Sequence, residues 1–328
     1  MWTWLGLMNP HRLLWGYAWS FPYAQVVAVA TLIGFVFAVR KARVPLTAPI
    51  VVLLAFSAWM AVTTAFALYP SEALEPAEKI LKIILMAFVT LALTTERRRV
   101  EVLVLVATLS LVFYGFKGGI WTIVTGGANQ VLGPANSFIE GNTQIGTALV
   151  MSLPLIRWMQ LRAQRPVFRW GLGGLMVVQA FAILGTQSRG ALLGLVAIVL
   201  MLVLKSRGRW LLLAGILVVA PLGYAFMPDR WHEKMRTIET YEQDTSAMGR
   251  ITSWRVALRI AQARPFVGAG FGSFRQESYE TFAPDIPPIH GRYQDAHSIY
   301  FQVLGHHGYV GLFLFVLLLV STWRANSK

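Results

Sequence analysis

Apolar residues run along this chain in long blocks broken by short polar stretches, a pattern with neither the every-second nor the every-third-or-fourth rhythm of a soluble fold. A helix crossing a bilayer needs about 20 mostly apolar residues, fewer where neighbouring helices or a thinner bilayer help. Nine blocks qualify: Ser20 to Val39, Thr47 to Leu68, Ile80 to Thr94, Val100 to Phe116, Thr143 to Leu161, Gly171 to Thr186, Ala191 to Leu204, Trp210 to Phe226 and Ser298 to Trp323. They predict an all-α polytopic transmembrane bundle of about nine spans.

The only sizeable polar stretch is Met227 to Ala296. Inside it Trp231, Met235 and Ile238 fall at helical spacing, as do Ile251, Trp254, Leu258 and Ala261, predicting two amphipathic helices. Asp244, Thr245 and Ser246 are all able to cap the second. "PFVGAGFGSF" at 265–274 and "APDIPPIHG" at 283–291 read as loops. The expected organisation is eight spans with short loops over 1–226, a small helical cap over 227–296, and a last span with its end over 297–328.

Charge orients these pieces. Alternate connections are basic: "RKAR" at 40–43, "RRR" at 97–99, Arg157, Arg162, Arg165 and Arg169, "KSRGR" at 205–209, then Arg324 and Lys328. They hold 15 of the 29 basic residues, opposed only by Glu96 and Glu101, and so carry nearly all of the net charge of +14. That bias marks the cytoplasmic side and leaves the cap, with nine basic and nine acidic residues, on the opposite side. A charge spent on orientation does not argue for nucleic acid. Composition agrees: 56% of residues are apolar and 13% charged, against about a quarter charged in a soluble domain. The absence of cysteine excludes disulfides, thiol nucleophiles and thiolate metal sites. The first residues lack a basic leader and cleavage site, so no removable signal peptide is expected.

Candidate chemistry gathers where the last span begins. His297 and Ser298 are followed by nine residues, Gly308, two more, and Gly311. On a continuous helix Gly308 would lie about 20° and Gly311 about 40° from His297, one stripe of small residues along which a neighbour can approach. This His-Ser-x9-Gly-x-x-Gly pattern resembles the signature of the O-antigen ligase and O-antigen polymerase superfamily. "MNPHRLLWGYAWSFPYAQVVAVATLIGF", "FYGFKGGIWTIVTGG", "GTQSRGALLGL", "MGRITSWRVAL" and "DAHSIYFQVLGHHGYVGL" extend the likeness, most closely to the exosortase-associated O-glycosylation ligase branch. The resemblance implies a bacterial inner membrane with the cap in the periplasm, and transfer of a glycan from undecaprenyl diphosphate to an acceptor hydroxyl at the periplasmic face, the acceptor being lipid A core, another glycan or protein. Members of that branch continue past the position of Lys328 with at least one more hydrophobic helix, so either a short gene product or a truncated form, with activity impaired in the second case, is expected.

Such a transfer releases a diphosphate that is stable as an anion, so it needs positive charge there and a base on the acceptor hydroxyl. His297 suits the base, set by a neighbour such as Asp295; a histidine that merely anchors the interface is the plainer reading. Arg189 lies on the side that positive-inside bias keeps poor in arginine. It is assigned to the diphosphate, alongside Gly190 and the amide end of the following helix, with a snorkelling contact to lipid phosphate as the alternative. Arg250, which matches a family arginine, joins it. Arg255 and Arg259 are rotated about 140° and 180° away on the same helix and read as surface groups. Lys82, Lys117 and Arg255 are weaker candidates.

His306 and His307, adjacent on a helix, cannot readily share one metal and are expected to line a packing surface. "GAGFG" lacks the strand and lysine of a phosphate loop, and "ETYEQD" at 239–244 reads as an exposed acidic turn. There is no Asp-x-Asp pair, so metal-independent catalysis without a cofactor is expected, and inversion is expected because a single in-line attack suffices when a base activates the acceptor. The competing functions are a polysaccharide polymerase using the same chemistry and a lipid-linked glycan transporter. The transporter would place ionisable groups at mid-bilayer, where these blocks have almost none.

Overall fold

The computed structural model describes residues 1–38, 46–206, 208–236, 245–288 and 291–327, and all regular structure among them is helical. In chain order the elements are α1 (Trp2–Met8), a single 3-10 turn (Pro10–Leu13), α2 (Tyr17–Ser20), α3 (Tyr23–Ala38), α4 (Ala48–Ala65), α5 (Pro70–Leu93), α6 (Arg97–Val124) and α7 (Asn142–Arg162). There follow α8 (Pro166–Gly185), α9 (Arg189–Lys205), α10 (Arg209–Phe226), α11 (Asp229–Arg236), α12 (Thr245–Ala263), α13 (Gln276–Phe282) and α14 (Ile299–Asn326).

Each of the nine apolar blocks lies on a helix. Four helices, α4, α6, α8 and α14, are long and apolar enough to cross a membrane. A fifth qualifies if Leu212–Phe226 and α11, bent by 107°, form one broken span. The others fall short for visible reasons. Helix α5 opens on the polar "PSEALEPAEK", α7 opens on Asn142, Thr143 and Gln144, and α3 and α9 have only 16 and 17 residues. Thr245 and Ser246 are the first residues of α12; Ile238 and residues 239–244, Asp244 among them, lie outside the described residues. Helix α13 was not anticipated: its seven residues are too few to show a period.

Contacts divide the chain into two compact units, Met1–Ala38 with Thr94–Glu239, and Val39–Leu93 with Thr240–Lys328. The first is built around α6, α7, α8 and α9. Leu111, Tyr114, Ile145, Leu149, Leu153 and Ile183 form its core. Small residues set the spacing: a Cβ on Gly119 would overlap Val178 of α8, and one on Gly118 would come within 2.8 Å of Val131. The polar side chain inside this core is satisfied on its nitrogen, since Gln179 donates to Leu149 O at 2.9 Å and Ser152 Oγ at 2.6 Å.

The second unit packs α4, α5, α12, α13 and α14. Phe56, Met60, Ala73, Ala77, Phe271 and Val303 make one cluster, and Val256, Ile260, Ala269, Tyr279 and Ala283 another. Helix α14 is broken at Gly308, whose φ of 69° and ψ of −170° belong to no helix. The loop 265–274 fills the break: Ala269 N donates to Gly305 O and Gly270 N to His306 O, both at 2.9 Å, while Tyr309 N donates to Pro265 O at 2.8 Å. Trp59 Nε1 takes the next free carbonyl, that of His307, at 3.0 Å. Carbonyls and amides that the helix leaves unmatched are thus paired through the loop. The continuous small-residue stripe expected from His297 through Gly308 to Gly311 therefore does not form, because a positive φ resets the helical phase midway. Beyond the loop, Arg275 binds Glu72 of α5 at 2.8 Å and Glu277 at 2.7 Å and lies over the Tyr69 ring. Ser71, first, and Arg275 hold the Glu72 carboxyl down to about 2. This exposed clamp moors the loop to α5 with an attraction that salt screens.

Candidate functional site

His297 stands just outside α14. Ser298 is the helix N-cap, and His297 itself has a φ of 46°, left-handed backbone that costs a β-substituted residue about 1–2 kcal/mol. Such strain persists where surrounding bonds over-determine it, and here they do. Ser253 Oγ and Tyr279 OH both donate to Gln294 O, at 3.0 and 2.9 Å, and Trp254 Nε1 donates to Ala296 O at 2.7 Å. Trp254 also stacks on Phe301 of α14, ring centroids 4.9 Å apart and nearly parallel. Ala296 is fully buried whereas His297 is exposed. The chain is anchored on both sides of an imidazole left accessible.

Arg250 belongs to the same surface of α12. By helical rotation it falls between Ser253 and Trp254, the two residues that grip 294–296, and Gly249 beside it packs so closely that a Cβ would lie 2.7 Å from Gln294 Oε1. Asp295 is exposed on the chain next to His297. Partial desolvation raises its carboxyl and the charge of His297 pulls it back. The two interact through charge, with no hydrogen bond between them among the described residues. Arg255 is exposed, and Arg259 pairs with Asp285 at 3.0 Å. Lys82 is exposed and paired with Glu78 one turn back on α5.

Asp295 also rims a largely apolar cavity of about 500 Å³ within this unit, walled by Phe56, Met60, Phe271, Ile299, Val303 and the two histidines of α14. His307 Nδ1 lies 2.6 Å from Thr63 Oγ1, and its ring meets Phe271 edge to face at 4.7 Å. His306 and His307 are buried packing residues, their rings 5.8 Å apart, and no group of three metal-ligating side chains occurs among the described residues.

Arg189, in the first unit, is the first residue of α9, two positions before the expected helix start. Its turn is stitched from several sides. Ser188 Oγ accepts from Ala191 N at 3.3 Å, and Thr186 O accepts the amides of Gln130 and Asn142, each at 3.1 Å. Gln187 has a φ of 53° and donates to Gly127 O at 3.3 Å. Both candidate turns thus hold a non-glycine residue in left-handed backbone. Sequence reasoning missed Lys234 here. Trp231 donates to Leu184 O at 3.1 Å and seats α11 against the end of α8, and the positive charges of Lys234 and Arg189 oppose one another. The available signal was the spacing of Lys234 three residues after a buried tryptophan. Lys117 is exposed near the end of α6, beside a second cavity.

Two family models match the chain. One, described as O-antigen ligase, covers residues 174–316, and the other, described as a family of unknown function (DUF5935), covers residues 1–164. No match was found among curated proteins, and none among solved structures.

Proposed function

Since the chain belongs to the O-antigen ligase superfamily, we propose that it is a metal-independent, inverting glycosyltransferase. On this reading it crosses the inner membrane about nine times and moves a glycan from undecaprenyl diphosphate to an acceptor hydroxyl at the periplasmic face. The observation that carries the reading is the held but exposed His297, strained in its backbone and pinned at Gln294 and Ala296. His297 takes the acceptor proton as the hydroxyl oxygen attacks the anomeric carbon. The bond from that carbon to the diphosphate oxygen breaks on the opposite face, so the configuration inverts, and the proton later leaves for solvent. Arg250, on the surface of α12 that grips 294–296, is the proposed partner of the diphosphate, whose negative charge grows as it departs, and Arg189, in the other unit, is proposed separately as a phosphate-binding group. The amide end of α9 adds to the field at Arg189.

Arg189→Ala and Arg250→Ala are each expected to raise the KM for the lipid donor and to lower kcat/KM by about 10–100-fold, as loss of a charge-assisted contact worth about 1.5–3 kcal/mol implies. Lysine in either place restores only part, because it keeps the charge and loses the planar fork. Steady-state transfer measurements with variants of unchanged thermal midpoint decide this; unaltered kinetics would remove the arginine concerned from the donor site.

The acceptor is tested by comparing surface glycoconjugates of a deletion strain with its parent. Glycan lost from lipid or protein while polymer length is preserved supports a ligase. Loss of long polymer with attachment intact would replace that reading by a polymerase.

A further inference from the structure

We propose that the first unit carries a saccharide subsite selective for a sugar bearing a carboxylate, in the cavity of about 360 Å³ between α6 and the segment Gln130–Pro134. Its biological role rests on the glycosyl-transfer reading above; its existence does not. The volume falls in the range of small-molecule sites.

The cavity is built rather than incidental. Tyr114, Lys117, Gly118 and Trp121 recur at i, i+3, i+4 and i+7, one stripe along the last turns of α6, and all four line it. Gly118 leaves room for the opposite wall, since a Cβ there would be 2.8 Å from Val131 Cγ1. That wall is fixed by three bonds: Val131 N to Gly185 O at 2.8 Å, Gly133 N to Glu140 O at 2.8 Å, and Gln130 Nε2 to Thr186 O at 3.1 Å. Tyr114 OH is spent on Met8 O, which seats the N-terminal segment so that Leu13 closes a third side.

The lining chemistry matches an anionic sugar. Trp121 leaves half its surface exposed, an apolar plane of the kind that receives the C–H face of a pyranose while the hydroxyl edge stays wet. Gln130, with its nitrogen already bound, keeps its carbonyl oxygen as an acceptor for a sugar hydroxyl. Lys117 has no carboxylate within ion-pairing distance among the described residues, so the site holds a positive charge that no described carboxylate neutralises. A diphosphate would need more than this one point charge, and a neutral sugar would need none. The position fits as well. Gln130 is bonded to the carbonyl three residues before Arg189, so a sugar here would lie along the turn assigned to the donor diphosphate.

The test is saturation-transfer NMR on the full chain in neutral detergent, with methyl β-D-glucuronide and methyl β-D-glucoside as probes. The glucuronide is expected to bind at least tenfold more tightly. Lys117→Met abolishes the preference and Lys117→Arg keeps it. Trp121→Ala weakens both probes, with Trp121→Phe guarding against a folding defect, and His297→Asn leaves binding intact. Equal binding of the two sugars, or a preference that survives Lys117→Met, overturns the proposal. So does glucuronide binding that disappears in phosphatidylglycerol nanodiscs, which would give Lys117 to a lipid headgroup. Absent sugar binding with glycan transfer intact sinks the subsite alone. Sugar binding without any transfer by the unaltered chain sinks the transferase reading alone.

Discussion

Replacement of His297 by alanine is expected to lower glycan transfer by about 10²–10⁴-fold, the usual contribution of a positioned general base. Alanine also removes the side chain from a residue with a φ of 46°, so a folding effect could be mistaken for a chemical one. His297→Asn separates them. Asparagine tolerates left-handed backbone better than most residues but has no titratable nitrogen. Loss of transfer in both variants, with donor binding and thermal midpoint retained and partial rescue of His297→Ala by added imidazole, identifies the proton acceptor. Transfer within a few-fold of the parent in the asparagine variant would reduce His297 to an anchoring residue. Ser253, Trp254 and Tyr279 hold the carbonyls of Gln294 and Ala296 rather than the imidazole, so variants of these residues are expected not to respond to imidazole.

The largest effect on stability is expected from Gly308→Ala. The φ of 69° and ψ of −170° at this position lie in a region that is essentially glycine's own, costing other residues about 1–3 kcal/mol. The new methyl group would in addition sit 2.6 Å from Pro265 O and overlap the Phe266 carbonyl. Loop 265–274 would have to leave the break, exposing the carbonyls of Gly305 and His306 that it satisfies. A fall in thermal midpoint of several degrees, or loss of monodisperse protein, is the expected result. Gly174→Ala in α8, with nothing within 4 Å of the added carbon, is the control and should be neutral or slightly stabilising. An unchanged midpoint for Gly308→Ala would mean that the break does not hold the second unit together.

The helical blocks were legible because apolar runs of span length leave little alternative to a helix. Their ends were less so: α6 extends well past Phe116, as Lys117, Gly118 and Gly119 interrupt hydropathy without interrupting the helix. His297, Arg189 and Arg250 stood out through motif and charge placement. The pins on Gln294 and Ala296 did not, since Ser253, Trp254 and Tyr279 reach them across 15 to 42 residues of sequence. The break in α14 was missed because rotating a wheel by 100° per residue assumes an unbroken helix. The hint was present in "GAGFG", whose glycines at 268, 270 and 272 all adopt positive φ in the structure. A loop so rich in unusual backbone needs a partner with unusual backbone.

The interruption at Gly308 also bears on how the molecule meets bilayers of different thickness. Apolar rods accommodate mismatch by tilting, and a continuous α14 would pass that rotation to whatever sits at its mouth. Here Gly308 divides the helix, so a tilt of Tyr309–Asn326 is expected to be taken up in part at that residue, while the turn after His297 stays bonded to the loop and stacked on Trp254. On the proposed reading, the aim of the imidazole is then expected to depend little on lipid composition.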